Sequence, residues 1–367
     1  MKVQRVQIPE TNRISWMVLD DDYLPIQPID DFLAYCENVE RSPNTLKSYA
    51  YHLKLYWEYL CDANLEWITA NQLDKIADFV AWLRCPAPAY DALIFQETEA
   101  KRQESTVNAI LSAVAAFHEY HERLGTAPSG SLYRLQAMPR QRYKGFLYHI
   151  TKSKPVLTRL IKLKEPKHLP QTLKADEVKQ LVAACQRTRD KFLISMLYET
   201  GMRIGQALGL RHADIQTWAN VIRIVPRNNN PNGSRAKHNE PYAVHVSAEL
   251  MALYRDYLIN ELEEISSDYV FINLWDGRIG QPMEYSTVAA LFRRLSHKTG
   301  IPVHPHMLRH THATELIRSG WDMAYVQKRL GHAQIQTTMN TYTHLDDDDL
   351  KQAFQEFQDN QNRGKKG

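Results

Sequence analysis

The segment HPHMLRHTHATEL, His304 to Leu316, sets a histidine and an arginine three residues apart in a stretch that reads as helix. Pro305 suits a first helical position, and Gly320 ends the run. His306 and Arg309 therefore project from one helix face, from which both can reach one ligand. A guanidinium is always charged and offers a planar fork of donors, which suits the oxygens of a phosphate. An arginine near the first turn of a helix can also share an anion with free backbone N–H groups. A second arginine of this kind is Arg203, which follows the helix-breaking Gly201 in LYETGMRIGQALGLRHADI. A third constellation, RLGHAQIQTTMNTYTHL, stops a helix at Gly331, follows it with His332 and brings Tyr342 ten residues later. Each is weak alone: a lone arginine is ordinarily a surface or salt-bridge residue, and a lone tyrosine half-buried packing. His304, His306, His310 and His312 crowd together enough to suggest a metal, but no cysteine or carboxylate set and no HExxH completes a site, so no metal is expected.

The elements that must hold these residues divide the chain by pattern. From about Ile29 to Gly125 it reads as helical. Ser42-Pro43 supplies a capping hydroxyl and a proline at the first helical position, and Leu46, Tyr49, Leu53, Tyr56 or Trp57, and Leu60 recur at helical steps. Further helices are expected from Ala70 to Leu83 and from Thr106 to Leu124, the last ending at Gly125. Between Arg134 and Lys167 ten basic residues stand against one acid, Glu165, a local charge of +9 in a chain whose net charge is only +3. Aromatic residues are interleaved with these charges, and Pro155, Pro166 and Pro170 break regular structure. A solvated linker would look like this, and so would a strap laid on a polyanion, where each neutralised phosphate releases counterions.

From Gln171 the pattern is mixed. Helices are expected over Ala175–Cys185 and Lys191–Glu199 and from near Arg203. Val221–Val225 and Tyr242–Val246 read as strands enclosing an Asn/Pro/Gly-rich loop, a hairpin by the simplest account, with Asp268–Asn273 a possible third strand. A helix carries Leu250 to Leu262, and the rest, to about Glu356, is helices separated by Gly300, Gly320 and Gly331.

Composition sets the bounds. With 367 residues, 44% of them hydrophobic, two domains with ordinary cores are expected. The four cysteines lie far apart with no CxxC pair, which excludes a disulfide framework or zinc knuckle and fits a reducing cytoplasm. The amino terminus has no signal-peptide pattern, and no window approaches the apolar length needed to cross a bilayer.

In order, TGMR, a lysine-bearing hairpin, HMLRHTHAT, LGH and a tyrosine resemble the tyrosine recombinase (phage integrase) family, most of all the transposases and integrases of mobile elements. The resemblance is strong from about Gln171 to Leu345 and extends more weakly through SPNTLKSYAYHLKLYWEYL to the family's core-binding domain. It implies a mainly α fold with a small antiparallel β-sheet in the carboxy-terminal domain. Residues 1–28 are then an amino-terminal extension, 29–126 a helical, SAM-like core-binding domain, 127–170 a basic linker, 171–357 the catalytic domain and 358–367 a tail. The two domains would close as a clamp on double-stranded DNA, with Arg140, Arg142, Lys144, Lys152, Lys154, Lys162 and Lys164 of the linker along phosphates. An extension of some 28 residues is too short for a separate arm-binding domain, so core-type sites alone are expected.

Carried over residue by residue, the resemblance makes Tyr342 the nucleophile on a DNA phosphodiester, giving a 3′-phosphotyrosine and a free 5′-hydroxyl. Because the covalent link keeps the bond energy, neither ATP nor metal is implied. Arg203 and Arg309 would balance charge on the non-bridging oxygens, and His332 would hydrogen-bond them. His306 would take the tyrosine proton, and Lys237 would protonate the leaving oxygen. Lys237 rests on aligning Ala243–Val246 with the second hairpin strand, and Arg235 fits less well because a guanidinium hardly surrenders a proton. Gln206 stands where the family often has glutamate, and the His332–Tyr342 interval is one residue longer than in the commonest pattern.

Asp346–Asp349 before an apparent helix put favourable charge at its amino terminus. In this family the same region often docks on a neighbouring subunit, so the resemblance also implies a homotetramer on paired DNA sites, with accessory DNA-bending or transposon-encoded proteins as possible partners. The expected place is the bacterial cytoplasm, on the nucleoid when bound to DNA. Two other readings share these residues: a catalytically silent DNA-binding relative, opposed by the intact Tyr342 and both arginines, and a tyrosine-based topoisomerase or telomere resolvase, opposed by chain length and the mobile-element resemblance.

Overall fold

Val3 and Val18 pair across the first two strands of the chain. In the computed structural model, which describes residues 1–7, 14–85, 100–128, 132–136, 156–166, 171–227, 229–235, 240–262, 265–275 and 277–331, strand β1 (Lys2–Gln7) pairs antiparallel with β2 (Ile14–Leu19). Val18 is buried in the core of the first of two compact units, Met1–Lys167, so the extension is part of that unit's fold, which its sequence pattern did not announce.

Four helices build the rest of that core: α1 (Gln27–Asn38), α2 (Pro43–Asp62), α3 (Leu73–Arg84) and α4 (Glu104–Leu124). Helix α2 starts as its sequence requires, the Ser42 hydroxyl accepting from the Thr45 N–H. Its buried stripe of Leu46, Ala50, Leu53, Tyr56 and Leu60 is the helical repeat legible in the sequence. Helix α4 ends at Gly125 in the left-handed conformation, φ 73°.

Part of the basic segment is regular. Tyr133–Gln136 (β3) pairs antiparallel with Val156–Arg159 (β4), so prolines bound this region without dissolving it. Beyond β4, Asn108 of α4 grips the chain: its amide accepts from the Leu163 N–H at 2.9 Å and donates to the Leu163 carbonyl at 2.9 Å. Ile161 and Leu163 pack on the core, and the alternation leaves Lys162 and Lys164 exposed.

The second unit, His168–Gly367, has its own core. Helices α5 (Ala175–Ala184) and α6 (Thr188–Thr200) precede a single turn, α7 (Ile204–Ala207), and a 3-10 turn at His212–Asp214. A three-stranded antiparallel sheet follows in the order β5 (Ile215–Gln216), β6 (Val221–Ile224) and β7 (Tyr242–His245). The hairpin of β6 and β7 is the expected one. The third strand is β5, however, and Asp268–Asn273 makes only single bridges, Arg211 to Tyr269 and Ile272 to Pro282. The remaining described helices are α8 (Ala248–Glu261), α9 (Tyr285–Thr299), α10 (Pro305–Arg318) and α11 (Met323–Leu330). Gly300, Gly320 and Gly331 all stand at positive φ behind them.

Candidate active site

Arg309 organises the site. It lies on the second turn of α10, 3% exposed, and its guanidinium donates to two carbonyls, that of Gly201 at 2.6 Å and that of Leu330 at 2.9 Å. Gly201 is the left-handed cap of α6, two residues before Arg203, and Leu330 is the last residue of α11, two before His332. One side chain of α10 thus ties the end of α6, 108 residues away, to the end of α11. Two glycines permit the approach. A Cβ on Gly201 would stand 2.6 Å from the His312 ring and 2.8 Å from Leu330, and one on Gly331 would stand 2.9 Å from the Tyr242 ring. Both also hold positive φ, 63° and 62°.

Arg203 is the residue just before α7, and its backbone N–H donates to the Gln206 side-chain oxygen at 2.8 Å. The other end of that buried amide donates to the Tyr242 hydroxyl at 3.1 Å. Burial pushes the Tyr242 hydroxyl above its ordinary range, while the Gln206 hydrogen bond and then the positive charges of Arg309 and Arg203 pull the other way. Both arginines therefore act on one hydroxyl. Arg203 is half-buried at the start of α7, which is a single turn.

His306, on the first turn of α10, is exposed where Arg309 is buried, so the pair forms a step from surface to interior. Beside it His310 is half-buried and pushed down to about 4, first by desolvation and then by the charges of His306, Arg309 and His304. His310 is therefore neutral near pH 7.

Lys237, His332 and Tyr342 lie outside the described residues, as do Arg140, Arg142, Lys144, Lys152 and Lys154. The loop leading to Lys237 is described as far as Arg235, and it is tightly held. Asn232 donates to the carbonyls of Leu208 and Met283, Asn230 donates to Ser234 and accepts from the Tyr269 hydroxyl, and Arg227 pairs with Asp214 through both terminal nitrogens. At Arg235 the loop lies against α7: a Cβ on Gly205 would stand 2.7 Å from the Arg235 carbonyl oxygen. Asn230 and Asn232 of this Asn/Pro/Gly-rich loop tie it to itself and to neighbouring segments. Sequence reasoning gave Tyr242, Gly205 and Arg329 no role at the site, weighed His312 only as a metal ligand, and noted Gln206 as a departure from glutamate.

Residues 171–349 match the Phage integrase family, and 29–125 match the Phage integrase, N-terminal SAM-like domain. Transposase A from transposon Tn554 of Staphylococcus aureus is 45% identical over 358 residues, covering 97% of this chain and 98% of that protein. Tyrosine recombinase XerD of Halalkalibacterium halodurans is 26% identical over 344 residues, 90% of this chain and 96% of that one. Among solved structures, the Tn1549 transposon integrase in complex with transposon right end DNA aligns with a TM-score of 0.60 at 16% identity, over 90% of this chain and 99% of that one. XerH site-specific recombinase bound to difH substrate aligns with a TM-score of 0.54 at 22% identity, over 89% and 83%. These likenesses share the mostly helical fold with its small antiparallel sheets. No described helix is long and apolar enough to cross a membrane. The chain belongs to the phage integrase family, and it is a DNA-binding, tyrosine-type site-specific recombinase that cuts and rejoins DNA.

Proposed function

We propose that Tyr342 is the nucleophile of this recombinase and that Arg203, Lys237, His306, Arg309 and His332 complete its site. The Tyr342 oxygen attacks a phosphodiester phosphorus, the bond to the 5′-oxygen breaks, and a 3′-phosphotyrosine forms. The tyrosine proton passes to His306, and the leaving 5′-oxygen takes a proton from Lys237. Arg203 and Arg309 balance the charge that grows on the non-bridging oxygens, and His332 hydrogen-bonds them. A 5′-hydroxyl from a partner duplex then attacks the phosphotyrosine, expels Tyr342 and restores a phosphodiester. The observation that carries this reading is the buried Arg309, which binds the Gly201 and Leu330 carbonyls and so gathers the segments leading to Arg203 and His332. No cofactor is needed, since the covalent bond stores the energy of the broken one.

Similarity to the Tn554 transposase along nearly the whole chain makes movement of a transposon the biological role we favour. In this reading 29–126 is the core-binding domain and 171–357 the catalytic domain, and both bind duplex DNA. The basic segment, Lys162 and Lys164 included, lies along phosphates, four subunits assemble on paired sites with any accessory proteins, and the work is done in the bacterial cytoplasm on the nucleoid.

Wild type and Tyr342→Phe are incubated, without metal or ATP, with nicked duplexes drawn from the transposon ends. An SDS-resistant protein–DNA adduct with wild type alone is the expected result. Adducts with both proteins would mean a different nucleophile, and tight binding without any adduct would mean a silent DNA-binding relative.

A further inference from the structure

Arg329 stands in the last turn of α11, three residues before His332, where an arginine ordinarily serves only the helix dipole. Its side chain does something else. Nε donates to His312 Nε2 at 3.1 Å, and one terminal nitrogen donates to the Glu199 carbonyl at 3.0 Å and to the His245 carbonyl at 3.1 Å. Those partners sit near the end of α6, at the end of β7 and in the middle of α10. Glu199 is itself anchored, its carboxylate accepting from both the backbone N–H and the hydroxyl of Ser247. The His312 ring is wedged against Gly201, where a Cβ would be 2.6 Å away. Burial, with the charges of Arg329 and Arg309, pushes that ring down to about 3, so it is neutral near pH 7 and can accept at Nε2.

We propose that Arg329 is a positioning residue for strand cleavage: its three hydrogen bonds clamp the carboxy end of α11 to α6, β7 and α10, and so fix the direction in which the chain leaves toward His332. This rests on the reading of His332 as a phosphate ligand. Arg309 and Arg329 are complementary grips on the same end of α11. Arg309 takes the Leu330 carbonyl from within α10, whereas Arg329 reaches outward from α11 to neighbouring segments. Without the second grip α11 keeps its packing through Val326 and Leu330 but loses the restraint on its last turn. A lysine cannot replace it, because three donors on one ammonium do not reproduce a planar fork spanning a ring nitrogen and two carbonyls.

The test uses the full chain and nicked duplexes, with single-turnover cleavage measured at saturating protein and affinity measured separately. Arg329→Met is expected to slow cleavage by about 10- to 100-fold, as displacement of a reacting group does, with DNA affinity little changed and the chain still folded. Arg329→Lys should not restore the rate. His312→Gln, which keeps an acceptor, should cleave faster than His312→Phe, which has none. The decisive reading is the double variant: Arg329→Met in a His332→Ala background should cost less than about twofold, because residues acting as one unit are not additive. If the two losses multiply, or if Arg329→Met loses DNA affinity in step with rate, Arg329 is not positioning His332. If His332→Ala cleaves like wild type, the reading of His332 itself fails and the proposal with it. A slow His332→Ala beside a fast Arg329→Met would overturn the proposal alone. Should Arg329→Met not fold, the His312 pair still decides, since equal rates for Gln and Phe would contradict the clamp.

Discussion

At Gly205 the absence of a side chain is a geometric requirement, since a Cβ would sit 2.7 Å from the Arg235 carbonyl oxygen, and backbone cannot swing aside as a flexible side chain can. Gly205→Ala should therefore push away the loop that carries Lys237, two residues beyond Arg235. Cleavage on nicked DNA should slow by about 10- to 100-fold while DNA affinity holds. An unaffected rate would mean that the loop does not present a catalytic group. Tyr242 calls for a different expectation. Its hydroxyl accepts from Gln206, and Tyr242→Phe leaves that buried amide without its acceptor, a cost of about 1–3 kcal/mol to be read from denaturant unfolding. The residues proposed to do chemistry are legible in sequence because their types and helical spacing are local facts, as with His306 and Arg309. Those that hold them in place were not. Arg329 looks like any cation at a helix end, and Tyr242 like any strand aromatic, because their partners are carbonyls and rings brought from more than eighty residues away for the Arg329–His245 bond.

Helices were the more legible elements for a related reason: the cap at Ser42 and the apolar stripe of α2 are local facts, written within one turn and one face. Strands were less so. Strand β5 is two residues long and is defined by pairing with β6, whereas DYVFIN, with an apolar run suited to a strand, meets neighbours only at single bridges. The packing of α2 on α4 yields a pH prediction. The Tyr56 hydroxyl and His118 Nε2 are 2.9 Å apart in the core, and burial, with the neighbouring His121, pushes His118 down to about 3 from 6.5. The unfolded chain binds a proton there that the folded chain refuses, so this contribution is complete above about pH 6.5 and is lost as pH falls toward 3. Between those limits His118 adds a slope of about 1.4 kcal/mol per pH unit. His118→Gln should flatten the stability profile of the full chain by that amount in acid, whatever it costs at neutral pH. Parallel profiles for the two proteins would show that His118 is protonated in the fold.

Over the whole molecule, charge is arranged more tellingly than its net +3 suggests, with +9 gathered between Arg134 and Lys167 and the remainder summing to −6. In the described part of that segment, the Asn108 clamp and the inward Ile161 and Leu163 turn Lys162 and Lys164 outward, as a preformed pair of cations on the first unit. Fixed cations of this kind attract phosphates without reading bases, because backbone contacts position a protein and leave sequence to the grooves. Each phosphate neutralised contributes about 0.9 to the slope of log affinity against log salt. Changing Lys162 and Lys164 together to glutamine should therefore reduce that slope by about 2 and weaken binding to transposon-end and unrelated duplexes by the same factor. The fraction of bound protein that forms the covalent adduct should not change, since neither lysine belongs to the catalytic set. A loss confined to the transposon ends would instead make these lysines readers of sequence, and an unchanged salt slope would remove them from the DNA altogether.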